Sequence, residues 1–162
     1  MGNNPILFLD PDGKKIFLAS NLTQTQRMEI LGSLQKLTND KLVFKTLKDG
    51  SIQVKVANIS ADGNKPNGTN LVRSLNSHEK SVTIGSSGFD SWCGSKNSPS
   101  TEEEKKNMSN GVGEDAVVKL GIERNFYVEG ENGTIIEKGS KSIILGHELI
   151  HAIKQMDGKK YT

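Results

Sequence analysis

The apolar positions of this chain fall into short blocks, and the spacing inside each block separates strands from helices. Ile6-Leu7-Phe8-Leu9 is a continuous apolar run, and Asp10-Pro11-Asp12-Gly13 after it is a strong turn signal. Lys15-Ile16-Phe17-Leu18-Ala19 reads as the next strand. Asn21 can cap a helix over 22–37, in which Met28, Ile30, Leu31, Leu34 and Leu37 gather near one face. Leu42-Val43-Phe44 and Ser51-Ile52-Gln53-Val54-Lys55-Val56 flank Asp49-Gly50, a hairpin signature. Residues 63–68 read as a polar loop, 70–75 as a short helix, and Ser81-Val82-Thr83-Ile84 as an alternating strand. Phe126-Tyr127-Val128 and Thr134-Ile135-Ile136 read as two strands around Gly130 to Gly133. No internal repeat is found.

The last block has a different period. Leu145, Leu149, Ala152, Ile153 and Met156 follow i, i+4, i+7, i+8, i+11, a helical stripe. Ser140 or Ser142 can cap its start, and Gly158 is placed to end it. Gly146 inside it costs helix stability of up to about 1 kcal/mol. Two readings of Gly146 stand side by side: room for a substrate backbone or neighbouring strand, or tight packing.

Beside this stripe lies His147-Glu148-Leu149-Ile150-His151, an H-E-x-x-H motif. Helix positions four apart lie about 40° apart around the axis, so both imidazoles project from one face. Two neutral imidazoles form half of a tetrahedral zinc site, and the Glu between them can reach a water at the metal without ligating it. The chain has 3 His in all, two of them here. With its His and Glu placed at random, about 0.004 such matches are expected, so chance is a weak explanation. The fold class expected from this pattern is α+β. It would be a small zincin-like domain, with a mixed or antiparallel sheet packed on helices and an H-E-x-x-H active-site helix near the C-terminus. A strand just upstream of that helix suits this arrangement, because its edge can hold an extended peptide by backbone pairing.

A catalytic zinc takes three protein ligands and keeps one position open. Asp157 stands at the third-ligand spacing of the longer H-E-x-x-H-x-x-G-x-x-H motif, but Lys154 occupies the position of its turning Gly. If the helix runs on, Asp157 lies about 9 Å along the axis from His151 and about 120° around it, out of reach. His78 is a second candidate, and Glu129, Glu131 and Glu137 upstream are further ones that the sequence does not choose between. The expected source of the third ligand is a residue beyond Thr162.

Composition narrows the field further. A length of 162 residues suits one domain, and 33% apolar residues with 17 Gly imply long loops and a modest core. The net charge is +2 with charges of both signs spread out, and argues for neither nucleic acid nor an anionic membrane as partner. No apolar run approaches the roughly 20 residues of a membrane span, and no signal peptide is recognisable at the N-terminus. Cys93 is the single cysteine, which excludes an intrachain disulfide and a Cys-based zinc knuckle; a lone thiol with no recognisable base reads as inert. Residues 85–113 are rich in Gly, Ser, Asn and charge and read as one long loop, either a lid or substrate-contacting loop or a solvated insertion. Within it, Thr101-Glu102-Glu103-Glu104-Lys105-Lys106 reads as an exposed charged turn or helix start.

Two local resemblances add to this picture. Leu145-Gly146-His147-Glu148-Leu149-Ile150-His151-Ala152 resembles the signature of the NleD-like effector zinc metallopeptidases. Gly2-Asn3-Asn4-Pro5-Ile6 through Asp10-Pro11-Asp12-Gly13 resembles the end of an Rhs (YD-repeat) core, the junction that precedes a variable C-terminal toxin. Together they imply two parts: residues 1–13 as a remnant of the Rhs core junction, and residues 14–162 as a metallopeptidase-like toxin domain. They also imply Zn2+ as cofactor, with His147 and His151 as ligands and Glu148 as the catalytic base. The further implications are secretion by a bacterial secretion system, delivery into a target cell, a protein substrate there, and a cognate immunity protein as partner. Family members continue past the motif to a further acidic segment, where this chain stops at Thr162. The competing expectations are a catalytically degenerate zincin-fold binding module, and a structural domain that carries the motif by chance.

Overall fold

The computed structural model describes residues 16–60, 63–87, 91–95, 111–121, 126–129, 135–139 and 141–158. Strand β1 (Ile16–Leu18) leads into helix α1 (Gln24–Leu37), then the hairpin β2 (Lys41–Thr46) and β3 (Ile52–Asn58). Helix α2 (Pro66–Ser77), β4 (Val82–Ser86), β5 (Trp92–Ser95) and β6 (Ala116–Leu120) follow. The two-stranded ribbon β7 (Phe126–Glu129) and β8 (Ile135–Gly139) precedes α3 (Lys141–Asp157). The class is α+β, as expected.

The first six strands form one mixed sheet in the order β2-β3-β1-β4-β6-β5. Strands β1, β4 and β6 run parallel to their neighbours in that group, whereas β3 and β2 on one side and β5 on the other are antiparallel additions. The register aligns the apolar side chains into rows. One row crosses Ala116, Val82, Ile16 and Val54, and the next crosses Val118, Ile84, Leu18 and Ile52. All eight are buried. Strand side chains alternate with a period of two, so one register serves the whole face. The helices close this face with Ile30 and Leu34 from α1, Val72 and Leu75 from α2, and Leu145, Leu149, Ala152 and Met156 from α3. Each of these Ile, Leu, Val and Met side chains contributes about 1.5–3 kcal/mol when fully buried.

Several expectations shift by a residue or two. The helix predicted from Leu22 starts at Gln24, because the cap is Thr23 and not Asn21. The Thr23 hydroxyl accepts from the Gln26 amide while the Gln26 side chain accepts from the Thr23 amide, a capping box. The predicted loop at 63–68 is shorter, since Pro66 opens α2 at a position where a missing N–H costs nothing. The Asp49-Gly50 hairpin forms as expected, with Gly50 at φ +87°. The single long loop expected over 85–113 is interrupted: β4 extends to Ser86 and residues 92–95 form β5. Strand β6 was not foreseen, although Ala116-Val117-Val118-Lys119-Leu120 between Asp115 and Gly121 carries a strand signal. The run 6–9, the turn at 10–13 and the charged segment 101–106 lie outside the described residues.

Candidate metal centre

Residues 147–151 lie within α3, whose stripe Leu145, Leu149, Ala152 and Met156 is buried against the sheet and whose Ile153 is partly buried. Ser142 is inside the helix and buried, so it is not the cap, and Ser140 lies outside the described residues. Gly158, at φ +70°, ends the helix, and its amide donates to the Gln155 carbonyl at 3.2 Å. Both ends of α3 are tied to other elements. At the C-terminal end the Glu114 amide donates to the Gln155 carbonyl at 3.2 Å, and Gly113 lies so close to the Met156 carbonyl that a Cβ would collide with it. In the first turn Lys141 meets Glu29 of α1 at 3.4 Å. At Gly146 an added Cβ would stand 3.1 Å from Leu37 Cδ2, so this buried glycine serves close packing of α3 against α1. Of the two readings of Gly146, the contact present is the packing one.

On this anchored helix the two imidazoles converge. His147 Nε2 and His151 Nε2 are 3.1 Å apart. The rings meet edge to face, with centroids 4.7 Å apart and planes at 84°. Two nitrogens bound to one tetrahedral zinc at about 2.0–2.1 Å stand about 3.3–3.4 Å apart. The observed spacing is within a few tenths of an ångström of that value, so the pair fits a shared ion with little movement. His147 is exposed, while His151 and Glu148 are half-buried. His147 therefore faces away from the core stripe, and Ile143 and Ile150, 67% and 47% exposed, lie on the same outward face. An ion held there is accessible from outside, with apolar surface beside it.

Of the remaining candidates, Asp157 and His78 are not brought to this pair. Helix α3 runs through Asp157, which places it about 9 Å along the axis from His151. Asp157 meets His78 instead, with His78 Nε2 at 2.6 Å from Asp157 Oδ1. Asp157 and His78, both weighed as ligands, thus partner each other. Glu129 and Glu137 fall on β7 and β8, and Glu131 lies outside the described residues. Among the described residues no group of three His, Cys, Asp or Glu side chains is placed to hold a metal. Cys93 is half-buried in β5, away from the motif in sequence.

Among the described residues, the charged groups with a clear electrostatic displacement form a structural knot, not a catalytic one. Asp40, its side chain fully buried, receives Arg73 through Nε at 2.6 Å and Nη2 at 2.7 Å. The Arg73 hydrogen bonds hold the Asp40 carboxyl below its ordinary range, and the Ser60 amide bond adds to this. The carboxylate in turn raises Arg73. Sequence reading missed this pair, because nothing local announces a partner 33 residues away.

No protein-family model, curated protein or solved structure matches this chain. No helix among the described residues is long and apolar enough to cross a membrane.

Proposed function

We propose that this chain is a zinc-dependent endopeptidase of the H-E-x-x-H type, acting as the toxin or effector domain of a secreted bacterial protein on a protein in a target cell. The observation that carries the reading is the approach of His147 Nε2 and His151 Nε2 to 3.1 Å on one helix, with Glu148 beside them. His147 and His151 would hold the ion. Zinc in such a site supplies Lewis acidity, which brings the pKa of a water towards about 7 and polarises a carbonyl. Glu148 accepts the proton of the attacking water and returns it to the leaving amine as the peptide bond breaks. Ile143 and Ile150 offer apolar contact to substrate side chains on either side of His147. The zincin-like fold, the NleD-like resemblance and the delivery route that the Rhs-like N-terminus implies belong to this same reading.

A second reading, a zincin-like domain that binds a partner without catalysis, is favoured by the lack of a third ligand among the described residues. Elemental analysis of the purified, zinc-reconstituted chain separates the two. The peptidase requires near-stoichiometric zinc that His147→Ala and His151→Ala abolish, together with cleavage of a denatured protein mixture detected by mass spectrometry. A chain that takes up no zinc after reconstitution is not the peptidase.

A further inference from the structure

At the opposite edge of the sheet from β5, the core row does not end under a helix. The register that runs through Ile16 and Val54 continues to Phe44 on β2, yet Phe44 is 60% exposed. Between β2 and α1 lies a groove of about 490 Å³, lined by Arg27, Met28 and Leu31 of α1 and by Leu42, Phe44 and Ile52 of the hairpin. Met28 at its rim is 64% exposed. Strand β2 is also first in the sheet order, so among the described residues no strand lies beyond it.

The backbone of that edge is available at defined positions. Leu47 donates to the Ser51 carbonyl, which makes that pair a hydrogen-bonded one. In an antiparallel ladder such pairs alternate, so Lys45 and Val43 turn their backbone groups towards β3, and Leu42, Phe44 and Thr46 turn theirs outwards. Gln35 confirms the direction. Its Oε1 accepts from the Leu42 amide at 3.2 Å and its Nε2 donates to the Asp40 carbonyl at 2.8 Å, which occupies the start of the edge with a side-chain amide. Among the described residues, none pairs with the outward backbone groups of Phe44 and Thr46, which form the template.

Charge identifies what suits it. Arg27 Nε is buried in the groove wall without a hydrogen-bond partner among the described residues. Within residues 24–58 the sequence has six Lys and Arg against three acidic residues, and two of those acids, Asp40 and Glu29, are already engaged by Arg73 and Lys141. A second copy pairing antiparallel through Phe44 and Thr46 would set Lys45 against its own counterpart, a like-charge cross-strand contact that destabilises a sheet. We propose that the open edge of β2 and the groove beside it bind an extended, acidic segment of a partner protein by strand addition. Its backbone pairs with Phe44 and Thr46, its alternate apolar side chains enter the groove, and a carboxylate meets Arg27.

The test uses the full chain and a labelled octapeptide, Thr-Val-Thr-Glu-Thr-Val-Thr-Val, in which Glu and Val share one face, with fluorescence anisotropy as readout. Binding is expected, and the same peptide with Lys in place of Glu should bind at least tenfold more weakly at the same salt. Arg27→Glu should weaken binding of the acidic peptide at least tenfold, while Arg27→Lys keeps most of it. Thr46→Pro removes an outward N–H at an edge position that tolerates proline, and should have the same effect as Arg27→Glu. Should Thr46→Pro fail to fold by circular dichroism, Phe44→Ala at an exposed position takes its place, with the same expected loss. Equal affinity for both peptides, no binding of either, or undiminished binding to these variants overturns the proposal. So does sedimentation equilibrium showing a dimer that Thr46→Pro or Phe44→Ala dissolves, which assigns the edge to a second copy.

Discussion

His78 and Asp157 meet at 2.6 Å, joining the residue that ends α2 to the last turn of α3. The Lys80 amide donates to His78 Nδ1 at 2.9 Å, so the ring proton sits on Nε2 and is donated to the Asp157 carboxylate. With side chains 13% and 32% exposed, the pair is partly shielded from solvent. Its role follows from its place: it fixes the distal end of the helix that carries His147, Glu148 and His151.

A latch and a ligand differ in what their removal does. His78→Ala and Asp157→Ala should each lower stability by about 1 kcal/mol, measured by urea denaturation, and the double variant should lose less than the sum. Zinc stoichiometry should remain that of the wild type. A folded Asp157→Ala protein that has lost its zinc would make Asp157 a ligand after all.

Glu148 is expected to work on protons and not on metal retention. Glu148→Gln should keep zinc and fold while losing about 10²–10⁴-fold in turnover, the usual weight of a positioned general base. Cleavage at the wild-type rate by Glu148→Gln would remove the proposed mechanism.

The Asp40–Arg73 knot predicts an acid sensitivity with a defined sign. Arg73 holds Asp40 below its ordinary value of 3.8. A carboxyl depressed in the folded state adds stability that is present above the unfolded value and is lost as pH falls through the folded one. The urea midpoint of the wild type should therefore drop below about pH 4. Asp40→Asn should be less stable at neutral pH and show a flatter acid limb. A parallel pair of curves would mean that the ion pair does not set this dependence.

Glycines 113 and 146 should respond differently to a methyl group. At Gly113 the obstacle is the Met156 carbonyl, which belongs to helix backbone and cannot yield cheaply. Gly113→Ala should cost about 1–3 kcal/mol or more. At Gly146 the obstacle is the end of the Leu37 side chain at 3.1 Å, and helix propensity offsets part of the crowding. Gly146→Ala should therefore sit well closer to wild type in thermal denaturation. Equal losses would mean that the two approaches are equally rigid.

Local pattern alone determined a good deal of this protein. The hairpin, alternation and stripe signals placed α1, the β2–β3 turn, β4, the β7 and β8 strands and the buried face of α3, because each depends on neighbours within a few residues. The same short range made the convergence of His147 and His151 readable, since one helical turn sets it. Tertiary structure decided the rest. It made a six-stranded mixed sheet whose order no strand's own sequence encodes, because register across β1, β4 and β6 is chosen by shared burial. It recruited residues 92–95 into β5 as the antiparallel neighbour of β6, despite their Gly- and Ser-rich surroundings. It gave His78 to Asp157 and Asp40 to Arg73, partners 79 and 33 positions apart that only folding brings together. It also left Phe44 exposed at a core-row position, because the row extends one strand farther than α1 covers.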